Sequence, residues 1–271
     1  MNPLPPWVIF HIPHDSVCIP VAVREQFTLN DQALRQEIVE MTDHCTLDLF
    51  ATNVPAEQIV RAPVSRLVVD VERFGDDSLE PMAALGMGVV YGSTSRGAAL
   101  RHPISPIQRQ SLIDHWYHPH HRRLTMAVDR ALGQWGRALV LDAHSFPSIP
   151  LPYELDRRLP RPQVCLGTDA FHTAKSLEMA MESAFESLGF STAINNPFSG
   201  ALVPMQFYQR DCRVAAVMVE INRALYLDEL SGRPSNSFTD VSQQIRSALS
   251  TAIDSWSGES PCTTGYGKTT G

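Results

Sequence analysis

The chain has 271 residues, 44% of them hydrophobic and 19% charged, with a formal net charge of −7. That is enough apolar material for one large α/β domain with a full core. The acidic balance argues against a nucleic-acid or anionic-membrane surface, either of which needs a basic face.

Trp7-Val8-Ile9-Phe10 is a run of β-formers that gives way to His11-Ile12-Pro13-His14-Asp15-Ser16, a first strand ending in a polar turn. From Asp31 to Phe50, Leu34, Ile38, Met41, Cys45 and Leu49 recur at helical intervals, and Thr42-Asp43-His44 interrupts the C-terminal half of that helix with polar groups. Ile59-Val60 and Leu67 to Val71 read as two more strands, the second leading into Glu72-Arg73. Arg61, Arg66 and Arg73 therefore gather at strand ends, an unusual place for charge unless it meets an anion. Met82 to Gly97 reads as an irregular loop with a strand around Val89 to Tyr91.

Ser105 to Gly133 is the longest helical tract, opened by Ser105-Pro106 and interrupted at Pro119, which predicts a kink or two consecutive helices. His118, His120 and His121 lie within it. Only helical neighbours three or four apart meet, so this trio is a poor candidate for a primary metal site. Leu139 to Leu141 reads as a short buried parallel strand that stops at Asp142, His144 and Ser145. Ser148 to Pro162 is a proline-rich surface excursion, Gln163 to Gly167 a strand, Ala174 to Leu188 a helix ending at Gly189, and Asn195 to Gly200 a loop. Val214 to Val219 is a central strand that discharges at Glu220, Asn222 and Arg223, and Asp240 to Ala252 is a closing amphipathic helix. Residues 1–256 are expected to form a single domain, with 257–271 a disordered tail rich in Gly, Ser and Thr.

Arginine carries almost all the positive charge, Lys175 and Lys268 being the only lysines. Cys18, Cys45, Cys165, Cys212 and Cys262 show no CxxC spacing and point to reduced thiols. With no signal-like segment and no apolar run of membrane-spanning length, a cytoplasmic protein is the expectation.

Ligands of open α/β sheets bind at the carboxyl ends of the strands. Those ends collect His14, His144, Asp15 or Asp43, Glu220 and several arginines, without a nucleophile elbow. Two imidazoles and one carboxylate are a usual ligand set for catalytic zinc. A carboxylate outside the metal shell can take a proton from water and return it to a leaving amine, while an arginine grips a substrate carboxylate.

The segments His11 to Ser16, Thr42 to Leu49, Ser65 to Arg73, Tyr117 to Leu124, Leu141 to Ser145, Asn196 to Gly200 and Glu220 to Asp228 together resemble the N-formylglutamate amidohydrolase family. The most specific parts are Glu220 to Glu229 and Asp142-Ala143-His144-Ser145. The resemblance implies a three-layer α/β/α fold around a mixed, mostly parallel sheet, distantly like the zinc carboxypeptidases and aspartoacylases. It implies one Zn2+ per chain held by His14, Asp43 and His144, with Asp15 and His11 as rivals for a ligand place. Glu220 would activate water, and Arg73, Arg66, Arg223 and Asn222 would hold a small substrate carrying a carboxylate. The chain departs from the family pattern twice, with Pro13-His14-Asp15-Ser16 where Pro-His-Ser-Gly is expected and Asp70-Val71-Glu72-Arg73 where Asp-x-Asn-Arg is expected. The second change puts a carboxylate beside the substrate clamp and bears on which substrate the pocket prefers.

The expected function is metal-dependent hydrolysis of an N-formyl or N-acyl amino acid. The alternatives are a metal-dependent binder of small carboxylates without turnover, and a protein whose polar strand ends are internal ion pairs.

Overall fold

The computed structural model describes residues 4–256; the tail expected over 257–271 lies outside the described residues. In chain order the elements are β1 (Val8–Ile12), α1 (Val21–Arg24), α2 (Asp31–Met41), α3 (Thr46–Ala51), β2 (Ile59–Arg61), α4 (Pro106–Leu112), α5 (His118–Trp135), β3 (Ala138–Phe146), β4 (Val164–Gly167), α6 (Lys175–Ser187), β5 (Thr192–Ile194), β6 (Val214–Asn222), β7 (Leu227–Asp228), β8 (Arg233–Pro234) and α7 (Phe238–Ser255). Six strands form one sheet in the order β2-β1-β3-β6-β4-β5. The first four run parallel, and β4 pairs antiparallel to β6, carrying β5 with it. The architecture is thus the expected α/β one with a mixed, mostly parallel sheet. Helix α5 lies against β1, β2 and β3, while α3 and α6 lie on the sheet and α7 packs on both of them as a second helical group.

The central strands are buried along their whole length, as strands covered on both faces must be. A second apolar cluster, including Val23, Leu34, Met41, Leu67, Val68, Val69, Met87, Val89 and Tyr91, is built by α1, α2 and the segment 62–104. Leu67 to Val71 is buried there as irregular backbone, and the expected strand is absent. Arg101 donates to the carbonyls of Leu67 (2.8 Å) and Val68 (3.2 Å), so a guanidinium takes the place a neighbouring strand would fill. Val89 to Tyr91 is likewise no strand; the Val89 carbonyl accepts from Asp70 N at 2.9 Å.

The two-helix expectation around Pro119 holds. A Ser105–Gln108 capping box starts α4, a π-helical turn (Ile113–Tyr117) follows, and Pro119 sits in the first turn of α5 directly after it. The helix expected from Asp31 to Phe50 is two helices. Thr42 turns extended at the end of α2, Cys45 adopts a left-handed φ of 63°, and α3 begins at Thr46. Asp43 N donates to the His14 carbonyl (3.0 Å), tying the break to the end of β1.

Candidate active site

Strand periodicity explains why the site forms on one face of the sheet. His11 is the register partner of Asp142, and His144 that of Glu220. Alternate residues of a strand point the same way, so His11, Asp142, His144 and Glu220 share a face at the carboxyl ends of β1, β3 and β6. His14, in the turn after β1, and Asp43, in the break between α2 and α3, come in from above the strand ends.

His14, Asp43 and His144 converge so that one ligand atom from each lies within 4.8 Å of the others. Asp43 Oδ2 is 3.1 Å from His144 Nδ1 and 3.7 Å from His14 Nδ1. The opposite nitrogen of each ring is held by an aspartate: His14 Nε2 by Asp70 at 2.8 Å, His144 Nε2 by Asp142 at 3.0 Å. Both rings therefore turn Nδ1 toward the same carboxylate, and His14 Nδ1 is buried without a hydrogen-bond partner. Imidazole ligands whose second nitrogen is fixed by a carboxylate are the usual support of a bound metal. An unpartnered buried imidazole nitrogen beside a carboxylate oxygen and a second Nδ1 fits a divalent cation, without which His14 Nδ1 stays unsatisfied.

Burial would raise the Asp43 carboxyl, but the His14 and His144 imidazoles and the Arg223 guanidinium outweigh it and hold it well below the usual carboxylate range. Glu220 behaves in the opposite way. Burial dominates over the attraction of His144 and Arg223, and its carboxyl is pushed up to about 8, with Oε2 unpartnered.

The remaining expected residues divide. Asp15 turns away from His14 and pairs with Arg61 at 3.0 Å. His11 belongs to a second group with Glu72 and Asp142. Arg223 is fully engaged with Asp43 (2.8 Å), the Ser145 hydroxyl (3.1 Å) and the Glu40 carbonyl (2.7 Å), which makes it a brace for Asp43. Arg66 is bound to Asp70 at 2.9 Å, and Asp70 also accepts from the Tyr91 hydroxyl. Asn222 caps the turn that follows β6 through Ala224 N (3.1 Å) and donates to the Pro162 carbonyl (3.2 Å), outside the cluster. Arg73 alone of the three arginines keeps a buried Nε without a hydrogen bond, 3.6 Å from Asp70, and lines a cavity of about 440 Å3 together with Glu72, Phe74, Tyr117, His121 and Asp142. A wider groove of about 810 Å3 between α3 and α7 touches none of these groups.

In the sequence, Asp70 and Glu72 stand out only as parts of strand-end motifs and Asp142 only as part of Asp-x-His-Ser; the structure gives Asp70 and Asp142 supporting roles. For Asp142 the signal was available, since its spacing of two from His144 puts both on one face. For Asp70 there was none, because its backbone is irregular. The helical histidines have three separate partners: His118 faces Asp114 (3.6 Å), His120 meets His11 (2.8 Å), and His121 bonds the Val71 carbonyl (2.9 Å).

A family model described as N-formylglutamate amidohydrolase matches residues 7–227. The chain is 28% identical over 215 residues to an N-formylglutamate deformylase of Pseudomonas aeruginosa, covering 76% of this chain and 77% of that protein. It is 26% identical over 229 residues to the N-formylglutamate deformylase of Pseudomonas putida, covering 82% of each. The crystal structure of N-formylglutamate amidohydrolase from Ralstonia eutropha JMP134 superposes with a TM-score of 0.77 over 92% of both chains at 20% identity, a likeness of fold.

Proposed function

The chain belongs to the N-formylglutamate amidohydrolase family and is a hydrolase of amide C–N bonds; from that premise we propose that it cleaves N-formylglutamate or a closely similar N-acyl amino acid, with His14, Asp43 and His144 holding Zn2+ and Glu220 as the catalytic acid–base. The observation that carries this reading is the paired support of the two imidazoles, each fixed at Nε2 by its own aspartate so that both Nδ1 atoms face Asp43. Zn2+ bound there would supply Lewis acidity toward the amide carbonyl and acidify a water molecule.

The chain's own groups do the rest. Glu220, with a proton affinity raised to about 8 by burial, both accepts and releases a proton near neutrality. Its carboxylate takes the proton of the attacking water as the water oxygen bonds to the acyl carbon. It then returns that proton to the amide nitrogen as the C–N bond breaks, giving formate and the free amino acid. Arg73, with its spare Nε at the cavity wall, is the group suited to a substrate carboxylate.

Formate release from N-formylglutamate tests the proposal. Glu220→Gln should lower kcat about 10²- to 10⁴-fold, and chelation should abolish activity until Zn2+ is restored. Turnover unchanged by both treatments would overturn it.

A further inference from the structure

Beside the proposed catalytic centre, on the other edge of the His144 ring, lies a second cluster, of which the hydrolytic reading uses Asp142 alone, as the support of His144 Nε2. His11 Nδ1 is 2.8 Å from Asp142 Oδ1 and 3.2 Å from Glu72 Oε1. His144 Nε2 reaches the same two carboxylates, at 3.0 Å from Asp142 and 3.7 Å from Glu72. Ligand atoms from His11, Glu72 and Asp142 all lie within 4.8 Å of one another. We propose that these three residues form a second divalent-metal site, separated from the first by the His144 imidazole.

Four features carry the inference. The donor set is one imidazole nitrogen and two carboxylate oxygens, which suits first-row dications such as Zn2+ or Mn2+. The donors come from unconnected parts of the chain, β1, β3 and the turn after Asp70, so the convergence is tertiary and not a local sequence effect. His11 is oriented from behind: its Nε2 meets His120 Nε2 at 2.8 Å, which leaves Nδ1 turned toward the two carboxylates. Metal-bound histidines are fixed in this way at the ring nitrogen that does not bind. Finally, Glu72 Oε1 is buried and makes no hydrogen bond, although it sits close to His11.

Access and anchoring agree with this. Glu72 and Asp142 both line the 440 Å3 cavity, so a cation can enter from solvent. Asp142 Oδ2 is held by Leu202 N at 3.0 Å, which leaves Oδ1 to face both His11 and His144. The turn that carries Glu72 is clamped by α5 and the π-helical turn before it: His121 bonds the Val71 carbonyl, and the Tyr117 hydroxyl donates to the Arg73 carbonyl at 3.0 Å. Position 72 is also where the chain departs from the Asp-x-Asn-Arg pattern, replacing an amide with a better cation ligand.

The site shares Asp142 with the support of the proposed catalytic centre, but Glu72 belongs to the second site alone and His14 to the first, so bound-metal counting separates the two. Metal-free protein is loaded with Zn2+ alone, and the ions retained are counted by elemental analysis and followed by calorimetric titration. The wild-type chain should hold two equivalents, Glu72→Gln one, and His14→Ala one. Glu72 is partly exposed and its glutamine replacement keeps an acceptor, so the metal-free variant should keep the unfolding transition of the metal-free wild type. The ion it loses should bind about 10- to 100-fold more weakly. With Co2+ as the probe, the second equivalent should add a visible absorption change that Glu72→Gln lacks. Equal metal content in wild type and Glu72→Gln would overturn the second site. If the single ion were then lost in His14→Ala, the catalytic reading would stand alone; if the wild-type chain held no ion, both would fall.

Discussion

The sheet and the segment 62–104 meet at the site, and they hold their parts of it by different means. In the sheet, His11, Asp142, His144 and Glu220 are placed by strand register, with backbone hydrogen bonds made between neighbouring strands. In the segment, Arg66, Asp70, Glu72 and Arg73 sit on irregular backbone whose polar groups are satisfied in large part by side chains. Arg101 donates to Tyr91, Leu67 and Val68 carbonyls, Glu80 accepts from Phe74 N and Met82 N, and Glu37 accepts from Ser95 N. A ladder spreads its load over many bonds. A guanidinium concentrates it in one residue, which makes the irregular half of the site the more breakable one.

The comparison breaks most sharply at Arg101. It is buried, stacks over Phe27 with its guanidinium carbon 4.8 Å from the ring centroid, and burial pushes it down to about 10. Arg101→Met removes the charge but leaves several buried carbonyls unsatisfied, each worth roughly 1–3 kcal/mol. The expected loss is about 3–5 kcal/mol by urea unfolding, with activity falling further than stability because Asp70 shifts with Leu67 to Val69. A loss below about 1 kcal/mol would show that the segment does not hang on this residue.

The same contrast decides what could be read without coordinates. The four central strands, the helices α5 to α7 and the delivery of His144 and Glu220 at strand ends follow from apolar runs and their polar stops; the register that pairs His144 with Glu220 comes from the sheet. Leu67 to Val71 has the composition of a strand and is not one, since Arg101, thirty-odd residues away, occupies its carbonyls. Asp43 was legible as a polar interruption, but the break that aims it depends on a left-handed Cys45, which no side-chain chemistry announces. Arg223 and Asn222 carried the right chemistry at a strand end and are spent on bracing and capping, a distinction that only distances make.

Asp70 and Asp142 sharpen the comparison at intermediate size, since each fixes one imidazole from one of the two regions. Asp70→Asn and Asp142→Asn should each weaken Zn2+ binding about 10- to 100-fold, read by competition with a chromophoric chelator. Equal losses would mean that the irregular support is as effective as the sheet once folded. A tenfold weaker effect for Asp70→Asn would mean that Arg66 and Tyr91 keep residue 70 in place, so that its amide oxygen still fixes His14.

The smallest effect expected is at Glu37, which joins α2 to Ser95 within the irregular half. Burial raises its carboxyl above the ordinary value of 4.5, against the opposing bonds from Ser95 N–H and O–H. The folded chain therefore binds this proton more tightly than the unfolded chain, so stability declines as pH rises from about 4.5 through the folded value and is level above it. Glu37→Gln keeps an acceptor for Ser95 N and removes the ionisation. It should leave the melting temperature at pH 4 unchanged and raise it by about 1–2 °C at pH 7. A drop at both values would mean that the charged carboxylate is itself the anchor of Ser95, and that this joint resembles the Asp70 cluster more than a buried acid.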